Sequence, residues 1–142
     1  MIHAAIATVA ALTGAPYATI NAGTHRVMVR EIGLFLNAAT ASSVALVRPS
    51  NTPVASGVVL AVPGDVNAIT PVTSLAATWG TAPTVGTQYM RRAVIPAAIG
   101  NGLIWSFAFG DLIIPISGFL VLWNFGATTG SVLNAYVSAE EE

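Results

Sequence analysis

Six carboxylates, five guanidinium groups and two imidazoles are what this chain offers for acid–base or metal chemistry, and they are scattered. Inside the chain the only acids are Glu31, Asp65 and Asp111; the other three are the closing Glu140 to Glu142. His3 and His25 both fall in the N-terminal region. A nucleophilic serine needs a base and an orienting carboxylate beside it, and no G-x-S-x-G elbow occurs to present one. Glycoside hydrolysis needs paired carboxylates across a cleft, which three separated interior acids do not supply. No two His, Asp or Glu residues have the spacing of metal ligands. Asp65 follows Gly64 and Asp111 follows Gly110, the company that turn residues keep. With no cysteine there is neither a disulfide nor a thiolate site. Gly-Asn-Gly at Gly100 to Gly102 is too short to cradle a phosphate and has the look of a hairpin turn. No enzyme, no cofactor and no metal are expected.

The remaining side chains that could recognise something are arginines and aromatics. Lysine is absent and the net charge is −1, so binding a nucleic acid by neutralising its phosphates is not expected. Arg91 and Arg92 are adjacent, and adjacent residues of a strand point to opposite faces. One reading pairs the inward arginine with Glu31 and leaves the other in water. The other places a guanidinium fork in a contact with a neighbouring subunit or shell. Trp79, Trp105, Trp123 and Tyr136 could form a sugar-stacking platform, but they sit inside apolar runs and read as packing.

What must hold these residues is an unusually uncharged chain. Its 142 residues suit one domain, with 54% hydrophobic residues and 8% charged ones against roughly 25% in an average domain. So few charges cannot coat the surface, and an obligate homo-oligomer follows as the expectation. No membrane span is expected: a helix needs about 20 apolar residues to cross, and the runs Leu112 to Ile116 and Phe119 to Trp123 are far shorter. The N-terminal stretch resembles the apolar part of a signal peptide but lacks a preceding Lys or Arg. Ile2, Ile6 and Val9 fall at helical spacing before Thr13 and Gly14, so residues 1–24 read as an arm or short helix and residues 25–142 as the main domain.

From Arg26 onward the period is two. Val27 and Val29 share one face, and Ile32, Leu34 and Leu36 continue in the opposite phase, which a β-bulge near Arg30 and Glu31 would reconcile. Ser43 to Arg48 forms a second strand and Val54 to Val62 a third. The stretch from Asn67 to Thr87 is mostly loop, with one strand around Ile69 to Leu75 and Trp79 burying its ring. Gln88 to Ile95 is a strand, and Leu103 to Phe109 alternates large residues with small ones. Pro115 marks an edge, because proline cannot donate to a ladder. Phe119 to Trp123 does not alternate, so both of its faces need cover, one from the core and one from a neighbour. Many short strands broken by regular turns imply an all-β antiparallel β-sandwich, jelly-roll-like, with an N-terminal arm. The candidate contacts are Ile2, Ile6 and Val9 on the arm, Trp79 in its loop, Arg91 and Arg92, and Phe119, Val121 and Trp123.

The segments VREIGLFLNAAT, VALVRPSNTP, TWGTAPTV, YMRRAVIPAAIGNGLIWSF and DLIIPISGFLVLWN together resemble small structural proteins of tailed bacteriophages, over roughly Arg26 to Val137. The resemblance implies a virion component built on a β-sandwich. Within that group the expected role is a head decoration, or cement, protein, commonly a trimer on the capsid surface that staples the major capsid protein. The alternative is a minor tail or fibre-associated protein with a receptor- or carbohydrate-binding role.

Overall fold

The computed structural model describes residues 1–142, and every regular element is a β-strand. Chain order gives β1 (Ile2–Ala7), β2 (Pro16–Asn21), β3 (Val27–Leu36), β4 (Ser42–Val47), β5 (Val54–Ser56), β6 (Val59–Leu60) and β7 (Val62–Pro63). There follow β8 (Ser74–Ala76), β9 (Thr78–Thr81), β10 (Arg91–Ile95), β11 (Gly102–Ser106), β12 (Ile113–Ile114), β13 (Phe119–Trp123) and β14 (Leu133–Glu141). One sheet, A, runs β11-β3-β14-β1-β7, with β12 also on β3; the other, B, runs β10-β4-β13-β2-β8-β6. β5 and β9 form a separate two-stranded ribbon. All pairings are antiparallel, and one apolar cluster drawn from both sheets fills the space between them. The fold is an antiparallel β-sandwich.

Alternation decides which side chains enter that core. On β3, Val27, Val29, Ile32, Leu34 and Leu36 are all buried. The phase change between Val29 and Ile32 is absorbed as expected: Glu31 lies opposite Ser138 and Val29 opposite Ala139, so Arg30 is the extra, bulged residue. Its guanidinium lies 5.6 Å from the centre of the Phe109 ring.

Most connections between strands of the two sheets cross from one sheet to the other. β10 belongs to sheet B and β11 to sheet A, so Gly100, at φ +88°, turns an arch rather than the hairpin expected from Gly-Asn-Gly. The expected strand from Val54 to Val62 is three pieces: Gly57, at φ +62°, ends the first, and buried Ala61 marks the step from β6 in sheet B to β7 in sheet A. The expected strand near Ile69 lies later, at β8, with β9 after it.

The N-terminal residues are no arm or helix. β1 is paired along its whole length with β14, and β2 lies inside sheet B between β13 and β8. Ile2 and Ile6 are four apart, a spacing that shares a face in a strand as well as in a helix. Buried Ile2 and Ala4 alternate with exposed His3 and Ala5, and this period of two places β1 in the sheet. Nor is Glu140 to Glu142 a free tail. Glu141 accepts from the amides of Val72 (2.9 Å) and Thr73 (2.6 Å) and from the Thr73 hydroxyl. Glu142 pairs with Arg26, whose Nε lies 2.6 Å from it, and Glu140 lies 3.7 Å from Arg30.

Candidate functional site

Sheet B has a second buried face. Leu120 and Leu122 of β13 point into the core, while Val121 points outward beside Thr19 and Val47 and is still 0% exposed. Trp79 of β9 donates its indole N–H to the Thr19 hydroxyl at 3.0 Å, which sets the β5–β9 ribbon against this face. The cover expected from a neighbour is thus supplied by the chain itself. Trp79 is tied down rather than held out at a tip.

The other expected contacts divide accordingly. Ile2 and Val121 are buried within the chain and are not contact residues. Ile6, Val9, Trp79, Phe119 and Trp123 are partly buried. Arg91 and Arg92 are exposed, and neither pairs with Glu31, which accepts instead from the Tyr136 hydroxyl at 3.0 Å. β10 is the edge of sheet B while β3, which carries Glu31, lies in sheet A, so the strands are not neighbours. Each arginine lies over a ring: Arg91 5.1 Å from the centre of Phe107, Arg92 5.0 Å from that of Phe125.

The surface features that sequence reading missed are aliphatic. Each long flank of the sandwich is formed by the edge strands of both sheets. One flank carries β10 and β11, with Val94, Ile99 and Ile104 exposed. The opposite flank carries β6 and β7, with Val59, Leu60 and Val62 exposed. Beyond β7, Val66 and Ile69 stand 92% and 91% exposed on a loop at the end of the sandwich where β14 finishes. The signal in the sequence was the run VVLAV, Val58 to Val62, which reads as one buried strand until its fourth residue, Ala61, proves to be the only buried one.

No protein-family model, no curated protein and no solved structure matches this chain. Its functional reading rests on the chemistry of its surfaces.

Those surfaces hold no convergent catalytic set. The largest cleft, about 560 Å³, is lined by Met1, His25, Phe109 and the three closing glutamates, which are already engaged with Arg26, Arg30 and the Val72–Thr73 amides. No three His, Asp or Glu side chains come close enough to hold a metal. Asp65 caps its own turn through the Asn67 amide at 2.9 Å. On the outer face of sheet A, Tyr136 lies between two shallow apolar grooves, one along Ala7 and Phe35 and the other along His3 and Val62. The charges segregate: Arg26 and Arg30 pair with glutamates, whereas Arg48, Arg91 and Arg92 have no carboxylate within ion-pair distance.

Proposed function

We propose that this chain is a non-enzymatic structural protein that associates with itself and coats a larger protein shell, the outside of a tailed-phage head, where it bridges and stabilises the major capsid protein. The observation that carries the reading is the exposure of aliphatic side chains along both flanks and at one end of a domain with only 8% charged residues. The accessible surface of 6654 Å² is close to the ~6,900 Å² of a compact monomer of this mass. No loosely extended arm contributes to it, so contact with a shell falls to folded faces and short loops. Val66 and Ile69, projecting from one end, are the residues best placed to meet that shell.

Cryo-electron microscopy of virions carrying this protein tests the reading. Density for the sandwich on the outer surface of the head, with the loop from Val66 to Ile69 against the shell, supports it. Localisation at the tail tip, or absence from the particle, overturns it.

A further inference from the structure

We propose that copies of this chain associate flank to flank, the β10–β11 edge of one against the β6–β7 edge of the next, and that the contact closes into a ring. The inference deepens the self-associating reading above and rests on it for the identity of the occupant, a second copy.

Two observations carry it. The first is shape: the edge strands of each sheet lie on opposite flanks, β10 and β6 for sheet B, β11 and β7 for sheet A. A lateral neighbour in the same orientation therefore brings a sheet A edge beside a sheet A edge and a sheet B edge beside a sheet B edge. The open backbone groups of β10 and β11 are then available to an extended partner. Both flanks are aliphatic, through Val94, Ile99 and Ile104 on one and Val59, Leu60 and Val62 on the other.

The second is charge. The β10 flank carries Arg91 and Arg92, and the β7 flank carries Asp65 just past the strand; none of the three takes part in an ion pair. Asp111 lines the same cleft as Arg91, and His3 lies beside Gly64, yet the excess remains positive on the first flank and acidic on the second. Arg91 enters β10 from the end of β4 near Val47, and Arg48 beyond it reaches the Ile113 carbonyl at 3.1 Å; Ile113 pairs with Met28 near the start of β3. Asp65 follows Pro63, which pairs with Ile2 opposite Ala139. Both charges thus lie toward the same end of the strands, so neighbours related by rotation about an axis along the strands place arginine against aspartate. A repeated head-to-tail contact of this kind closes when the rotation divides the circle.

The ring would also set the Val66–Ile69 loops of all copies on one end.

Native mass spectrometry and light scattering of the full chain test the proposal with surface charge swaps. Wild type is expected to give one defined oligomer, and Arg91→Glu with Arg92→Glu, or Asp65→Arg alone, to weaken association at least about tenfold. The triple variant, with both flanks reversed, is expected to restore the oligomer, since its own flanks are complementary again. A wild-type oligomer indifferent to these swaps, or a triple variant as weak as the others, overturns the flank contact while self-association stands. A ladder of lengths overturns the ring. A wild type that stays monomeric overturns self-association and this inference together.

Discussion

The phenol ring of Tyr136 on β14 lies flat over Gly33 on β3, directly across the strand pair, in the space that any β-carbon on Gly33 would occupy. Phe35 stacks beside the ring, with centroids 6.4 Å apart and planes inclined by 14°. An aromatic ring laid over a strand glycine covers backbone that would otherwise be bare. Gly33→Ala is therefore expected to destabilise the fold by about 1–3 kcal/mol through the forced displacement of Tyr136. Adding Tyr136→Ala removes the clash, so the two losses measured by urea denaturation should be less than additive. Strictly additive losses would show that the ring and the glycine do not constrain each other.

Glu141 links the end of the chain to the segment entering β8. Its carboxylate accepts from two amides and one hydroxyl on Val72 and Thr73, and a hydrogen bond to a charged group contributes about 1.5–3 kcal/mol net of its exchange with water, with several bonds to one carboxylate adding less than their sum. Glu141→Ala should cost about 2 kcal/mol in all and speed amide exchange at Val72 and Thr73. Unchanged exchange there would remove the link from the account of stability.

Burial pushes the Tyr17 phenol up to about 12. Its hydroxyl donates to the Ser43 carbonyl at 3.3 Å, and the ring fills the space over Gly130. The folded value lies above the unfolded value of about 10. The stabilisation is therefore complete below pH 10 and is lost as pH rises toward 12, by an amount on the order of 2 kcal/mol. Urea midpoints measured from pH 9 to 12 should fall over that window, and Tyr17→Phe should flatten the fall. Tyr136 also has its phenol raised, first by burial and then by the Glu31 carboxylate that it donates to.

Val121 and Trp79 separate a covered face from a contact surface. Val121→Ala is expected to cost the monomer about 2 kcal/mol, and Trp79→Phe about 1 kcal/mol through loss of the bond to Thr19. Neither should alter self-association at temperatures where the domain is folded. A Val121→Ala chain of unchanged stability but weakened association would return this face to the interface.

Which side chains are buried was legible where alternation runs along a paired strand such as β3, because a strand's period of two is a local property of the backbone; Phe109, in phase with Leu103, Trp105 and Phe107, lies past the end of β11 and is exposed. The break of phase between Val29 and Ile32 placed a bulge near Arg30 and Glu31 for the same reason, and the register puts it at Arg30; Pro115 marked the edge because its nitrogen carries no hydrogen. The lack of alternation in Phe119–Trp123 correctly required two buried faces. What covers the second face was decided only by tertiary structure, which brings Trp79 and its ribbon from 40 residues away along the chain. The strand nature of Ile2–Ala7 was hidden because a spacing of four satisfies both periods, and β14, the partner that decides between them, comes from the far end of the chain. The exposed aliphatic flanks were hidden likewise, since VVLAV and RRAVI look like core until the order of strands makes them edges. Local pattern determines which faces of a strand want to leave water, and the pairing of strands distant in sequence decides what meets them.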